Sequence, residues 1–188
     1  LVSEIKNQYL AMGYFNTEIT ESLEIDSQNR IDIELIVSEG KEARIRSMSV
    51  SGNSVFGEDE LLDQFSIGMK TNSFINYFTN KDRYSELVFE EGMEHISNLY
   101  MNSGYLDFKF SGVNKTLSED KKYLNIEIEL DEGIQYKLGT VSFEGELGNQ
   151  NPDELMKLVS IQKDEIFNWG TIVSDVQKIT DVFVDQGY

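Results

Sequence analysis

One segment of the sequence carries the side chains that come closest to a reactive or metal-binding site. Glu90, Glu91 and Glu94 lie just before His95, which is the only histidine in the chain. Carboxylates and an imidazole are ligands that zinc accepts. The chain has no cysteine, however, and the acids do not form an HExxH pattern. The pattern therefore favours a solvated helix face, and we expect no metal to bind there.

Other kinds of reaction chemistry are disfavoured by the residue types that are present. Without cysteine there is neither a disulfide nor a thiol nucleophile, and a Ser-His-Asp triad would have to recruit His95. A hydrolase with paired carboxylates is the rival hypothesis from another functional class, and it needs two acids that converge in one pocket. The acids of this chain fall mainly on predicted turns and solvent-facing positions. We therefore expect no enzyme activity and no cofactor.

The charge balance excludes several kinds of partner. The chain has 188 residues, with 16 Lys and Arg against 34 Asp and Glu, so its formal net charge is −18. Such an acidic surface does not condense onto phosphates, so we expect no nucleic acid partner and no docking onto an anionic membrane by charge alone. Apolar residues make up 39% of the chain, which is enough to fill a core. No apolar run approaches the roughly 20 residues that cross a bilayer.

An internal repeat organises the chain. The dipeptide Gly-Tyr occurs at residues 13, 104 and 187, and the Glu-Gly pair at residue 39 recurs at residue 132. The period is about 90 residues, which is the size of a small module. We therefore expect residues 1–40 to be the C-terminal half of one module, 41–133 to be a complete module and 134–188 to be the N-terminal part of a further one. The chain is then a fragment of a longer tandem array.

Within the complete module, the hydrophobic periodicity predicts the order strand, helix, helix, strand, strand. Gly104 follows the second helix and suits a left-handed C-terminal cap, which would fold Tyr105 back onto the last turn. The predicted strands are Ile45 to Ser51, Tyr105 to Val113 and Leu124 to Leu130, and the predicted helices are Glu58 to Phe65 and Asp82 to Asn102.

This order predicts an α+β fold in which two helices cover one face of a three-stranded mixed sheet. The last two strands form an antiparallel hairpin, and a crossover through the helices lays the first strand parallel to the third. The third strand is then central. The strand from Tyr105 to Val113 lies at an open edge, with a bend or bulge expected around Phe110 and Gly112.

Three stretches of the sequence point to a known family: Phe74-Ile75-Asn76-Tyr77-Phe78 with Asp82-Arg83-Tyr84-Ser85, Tyr100-Met101-Asn102-Ser103-Gly104-Tyr105-Leu106-Asp107-Phe108, and Glu132-Gly133-Ile134-Gln135-Tyr136. They resemble the polypeptide-transport-associated (POTRA) modules of bacterial outer-membrane barrel assembly factors. The resemblance covers the whole chain, which looks most like the end of the second module, all of the third and the start of the fourth, of the five in that family.

The resemblance implies a segment that lies in the periplasm, in a protein of the outer membrane. It implies that the segment receives unfolded outer-membrane proteins and scaffolds the lipoproteins of an assembly complex. Contact with the membrane itself would be made only by a C-terminal barrel, which is absent from this sequence. Rivals within the same class are the POTRA regions of a TamA-like transporter or of a two-partner secretion pore.

An open strand edge suggests how a client is held. An extended segment that lies along the edge gains main-chain hydrogen bonds whatever its sequence, while its side chains contribute only alternately. The expected affinity is low, because each bond contributes only about 1 kcal/mol net and ordering the client costs much of that gain. The predicted binding residues are Tyr105, Leu106, Asp107, Phe108, Lys109, Phe110, Ser111, Gly112 and Val113.

Overall fold

The computed structural model describes residues 1–65, 82–145, 147 and 150–184. None of the helices in this part of the chain is long and apolar enough to cross a membrane. The helices are α1 (Val2–Ala11), α2 (Glu58–Leu62), α3 (Glu86–Asn102), α4 (Pro152–Met156) and α5 (Trp169–Val184). The strands are β1 (Glu18–Ile25), β2 (Ile31–Ser38), β3 (Arg44–Ser51), β4 (Lys109–Leu117) and β5 (Tyr123–Asp131).

The strands form two sheets, and the larger one has the predicted topology. β1 and β2 make an antiparallel hairpin, while the central sheet has the order β3-β5-β4. β3 runs parallel to β5, and β4 runs antiparallel to it. The predicted α+β class, with a three-stranded mixed sheet and a central third strand, is confirmed. The pairing of β4 with β5 shifts between Phe110 and Gly112, so the expected bulge is present and leaves Ser111 without a partner in the ladder.

The core lies between the central sheet and the helices α2 and α3. Alternate residues of β5 point to the helix side and are buried, as the period of two predicts. The buried stripe of α3 packs against these residues, and Leu61 of α2 is buried in the same core. The buried residues of β5 and α3 are Leu124, Ile126, Ile128 and Leu130, and Phe89, Gly92, Ile96 and Tyr100.

The Gly-Tyr pairs end helices α1 and α3 in the predicted way. Gly104 has a φ of 89°, its N–H donates to the Met101 carbonyl at 3.3 Å, and the Tyr105 N–H reaches back to the Tyr100 carbonyl at 3.0 Å. These two bonds define a Schellman cap. The rings of Tyr100 and Tyr105 meet edge to face with centroids 5.9 Å apart. The same two bonds close α1 around Gly13, whose φ is 85°.

The predicted start of the second helix at Asp82 is wrong, because α3 begins at Glu86. The preceding residues are held in an extended conformation by the start of β3. The Ile45 N–H donates to the Asp82 carbonyl at 2.7 Å, and the Tyr84 N–H donates to the Ala43 carbonyl at 3.1 Å. These bonds replace the first helical turn.

The predicted end of the first helix at Phe65 is also too late, since α2 ends at Leu62. Phe65 instead packs in the core, with its ring stacked on Phe89 at a centroid distance of 5.6 Å. Gly92 of α3 makes room for this ring, because a Cβ atom there would lie 2.1 Å from the Phe65 ring.

The predicted strand from Tyr105 to Val113 is wrong at both ends. β4 begins at Lys109 and continues to Leu117. After the Schellman cap the chain makes a further turn, in which the Phe108 N–H donates to the Tyr105 carbonyl at 3.3 Å. Tyr105 and Phe108 both pack on the ring of Tyr100. Their apolar side chains therefore recur in the sequence because of this contact and not because of the alternation of a strand.

Candidate functional site: the outer edge of β4

The central sheet has two outer edges, and the edge of β3 is partly occupied by its own chain. The Ile45 N–H donates to the Asp82 carbonyl, as described above, and near the other end of β3 the Val50 N–H donates to the Glu58 carboxylate at 3.0 Å. Glu58 is the first residue of α2, so that helix lies beside this edge. An incoming strand would have to displace both bonds.

The outer edge of β4 is open over nine residues. No segment of the described chain pairs with it, since β4 forms its ladder only with β5. An edge of this kind presents unpaired backbone N–H and C=O groups. One end of this edge is interrupted by the bulge at Ser111 and by Lys109, whose Nζ atom forms an ion pair with the Asp131 carboxylate at 3.0 Å. Such interruptions are common at edges exposed to water. Of the two edges of the central sheet, β4 thus offers the longer unpaired backbone in the described chain.

A groove lies between helix α3 and Phe110 of β4. Directly opposed residues of an antiparallel pair share a face, and every second residue of β4 opposes a buried residue of β5. These helix-facing residues of β4 are Phe110, Val113, Lys115 and Leu117. The groove has a volume of about 470 Å³ and is lined by apolar Leu87, Met93 and Phe110 and by polar Glu90, Glu91, Glu94 and Ser97. Leu87 is 68% exposed, so the groove holds uncovered apolar surface.

Lys115 is held on the helix side of β4 by a cluster at the start of α3. Its Nζ atom donates to the Tyr84 hydroxyl at 2.7 Å and to the Glu86 carboxylate at 2.7 Å, and it lies 4.2 Å from the centre of the Phe89 ring. The Tyr84 hydroxyl in turn donates to Glu86. Burial and this hydrogen bond raise the pKa of Tyr84. Burial alone would raise the pKa of Glu86, but the bonds from Lys115 and Tyr84 lower it, so the Glu86 carboxylate stays ionised at neutral pH.

The structure divides the predicted binding residues into two groups. Residues 109–113 lie in β4, at the open edge. Residues 105–108 precede the strand and are engaged elsewhere: Phe108 stacks on Tyr100 with ring centroids 4.2 Å apart, and the Asp107 carboxylate accepts a hydrogen bond from the Tyr136 hydroxyl at 2.6 Å. The edge also includes Asn114 to Leu117, which the sequence prediction omitted. The predicted hairpin could have placed these residues in the strand. Leu117 opposes Leu124 across the polar turn, so the strand must extend to Leu117.

The Glu132-Gly133 pair lies just after the end of β5, where the Glu132 carboxylate forms a buried anchor. Glu132 is 8% exposed, and its carboxylate accepts bonds from the Ser54 N–H at 2.9 Å, the Val55 N–H at 3.0 Å and the Tyr100 hydroxyl at 2.7 Å. The Ser54 hydroxyl donates to it as well. Burial alone would raise the pKa of Glu132, but these hydrogen bonds lower it to about 2.

The anchor is the feature that the sequence analysis missed. The repeat gave a hint, since Glu39 accepts a bond from the Tyr9 hydroxyl at 2.9 Å, just as Glu132 accepts one from Tyr100. In the first copy the pair is exposed. The carboxylate of the Glu-Gly pair therefore ties the end of the preceding helix to the end of the last strand.

His95 and the acids beside it are all exposed. The imidazole lies on the exposed side of α3, with Nδ1 3.2 Å from the Gln64 carbonyl oxygen. Across the described residues, no group of three or more acids, histidines or cysteines is placed to hold a metal ion.

A single family model matches most of the chain. The model of the family described as POTRA, surface antigen variable number repeat, matches residues 1–40 and 43–133. The chain belongs to the POTRA family.

Two of the motifs named in the sequence analysis lie outside the described residues. They are the aromatic stretch Phe74 to Phe78 and the third Gly-Tyr pair, at residue 187.

Relatives of this POTRA chain are similar over its whole length. It is 28% identical over 187 residues to the outer membrane protein assembly factor BamA of Neisseria meningitidis serogroup B, covering 100% of this chain and 23% of that protein. It is also 28% identical over 188 residues to BamA of Buchnera aphidicola, covering 100% of this chain and 30% of that protein. The chain thus spans less than a third of these curated relatives. The predicted resemblance to such assembly factors is confirmed.

A solved structure shows the same POTRA fold. The crystal structure of Haemophilus influenzae BamA POTRA3-5 superposes with a TM-score of 0.61 at 17% sequence identity, covering 100% of this chain and 68% of that one. At this identity the similarity concerns the fold.

Proposed function

We propose that the chain is the periplasmic POTRA region of an outer-membrane protein assembly factor, that it has no enzyme activity, and that it holds unfolded outer-membrane proteins by strand addition to β4. Scaffolding of the lipoproteins of an assembly complex is part of the same proposal. The similarity of the whole chain to two BamA proteins favours an assembly factor over a TamA-like or two-partner secretion transporter. We also propose module boundaries at residues 40/41 and 133/134.

The observation that carries the proposal is the difference between the two edges of the central sheet. β3 has backbone groups bonded to Asp82 and Glu58, whereas the outer edge of β4 is unpaired in the described chain. Main-chain bonds at such an edge accept many client sequences, because side chains contribute only at alternate positions. The resulting affinity is low and suits a protein that must release its client.

Photo-crosslinking on the two sides of the sheet tests the proposal. Thr116 on β4 and Ser47 on β3 both oppose Asn125, from opposite sides, so they are matched positions. With benzoylphenylalanine at one or the other position, we expect an outer-membrane porin diluted from urea to crosslink about fivefold more at Thr116. Ser111→Pro should reduce that yield without unfolding the sheet, because Ser111 makes no ladder pair. Equal yields at the two positions, or a yield that Ser111→Pro leaves unchanged, would contradict strand addition to β4.

A further inference from the structure

The groove beside β4 contains a set of carboxylates that have no cationic partner among the described residues. Glu90, Glu91 and Glu94 lie on the exposed side of α3 and line the groove. None of the three takes part in an ion pair with a lysine, arginine or histidine in the part of the chain that the structure describes. Lys115, the cation on the helix-facing side of β4, is instead paired with Glu86.

The position of these carboxylates determines what they would meet. A strand that adds to β4 extends the sheet by one strand, and alternate side chains of that strand point toward the helix layer. These side chains enter the groove, where they meet Leu87, Met93 and Phe110 together with the three carboxylates. The groove is thus apolar along part of its wall and negatively charged along the rest.

We infer that this groove selects extended segments that carry lysine or arginine on the face turned toward α3, between apolar residues. The inference rests on the proposed strand addition at β4. The long stem of a lysine or arginine can cover exposed apolar surface such as that of Leu87 while its charged end reaches a carboxylate. A segment with Asp or Glu at the same positions faces three carboxylates and a chain of net charge −18.

The selectivity is independent of the main-chain bonds, which any extended peptide can make. Backbone pairing gives all clients the same low affinity. Charge complementarity then increases the affinity of some clients more than that of others. Because the carboxylates are exposed to water, the ranking must weaken as salt screens the charges. Salt dependence therefore separates the groove's contribution from that of the edge.

A series of three labelled peptides tests the inference. Each peptide has nine residues of alternating Val and Thr, matching the length of β4, and two alternate positions carry Lys, Gln or Glu. Binding to the full chain is measured by fluorescence anisotropy. In low salt we expect the Lys peptide to bind about tenfold more tightly than the Glu peptide, with the Gln peptide between them. In about 0.5 M NaCl the ratio should fall toward one.

Two double variants assign the effect to the groove. Glu90→Gln with Glu94→Gln should reduce the tenfold preference to below about threefold. Glu21→Gln with Glu24→Gln removes the same charge from exposed positions of β1 and should leave the preference unchanged. Equal affinities for the three peptides, or a preference that survives in the groove variant, would overturn the selectivity and leave strand addition standing. Absence of binding by all three peptides would overturn both proposals.

Discussion

Replacing Glu132 with alanine is expected to lower the free energy of unfolding by about 4 kcal/mol. The carboxylate accepts bonds from backbone and side-chain donors of Ser54 and from the Val55 N–H and the Tyr100 hydroxyl, and these donors would lose their partner in a buried place. The change is measured by urea unfolding followed by circular dichroism. Glu129→Ala, on the exposed face of β5 just before Glu132, is the control and should cost less than about 0.5 kcal/mol.

The pH dependence of Glu132→Gln gives a second readout of the same anchor. The folded-state pKa of Glu132 is about 2, below its ordinary value of 4.5, so its stabilising effect is present above pH 4.5 and is lost as the pH falls toward 2. The stability difference between the natural chain and Glu132→Gln should therefore shrink over that range. A difference that stays constant from pH 6 down to about 2.5 would show that the charge of Glu132 does not contribute.

Replacing Gly52 with alanine is expected to destabilise the chain by about 3 kcal/mol. Gly52 follows β3 with a φ of 82°, which residues with a Cβ adopt at a cost, and a Cβ atom there would lie 2.2 Å from the Leu130 carbonyl oxygen. The main chain of the central strand β5 would have to move. Urea unfolding measures the loss.

Gly57→Ala is the matched control for Gly52→Ala. Gly57 precedes α2 with a φ of −67°, and a Cβ atom there would have no heavy atom within 4 Å. Its substitution should cost about 0.5 kcal/mol, from the weaker helix cap alone. Similar losses for the two variants would contradict the account of the close approach between Gly52 and β5.

Local periodicity and the repeat were sufficient to predict the topology of the central sheet. The alternation in β5 and the stripe in α3 each bury one face, and the caps at Gly13 and Gly104 follow from glycine's freedom at positive φ. The order of strands then followed from connection rules. The alternation, the stripe and the caps depend on residues that are near one another in the sequence.

The errors arose where contacts outside the local pattern decide the conformation. Residues 105–108 alternate like a strand, but Phe108 stacks on Tyr100 and Asp107 bonds to Tyr136. The start of α3 was displaced by bonds between residues 82–84 and the beginning of β3. Likewise, the partial closure of the β3 edge by Glu58 and the acidic groove beside β4 became visible only once the elements were packed together.

Backbone hydrogen exchange in the presence of a client tests strand addition to β4 most directly. The chain is labelled with ¹⁵N, and amide exchange is followed by NMR with and without a saturating, extended client peptide. We expect the outward-pointing amides of Lys109–Leu117 to exchange about tenfold more slowly in the complex, while those of Arg44–Ser51 stay unchanged. Unchanged exchange along β4 with the peptide bound, or protection that appears along β3 instead, would contradict the account.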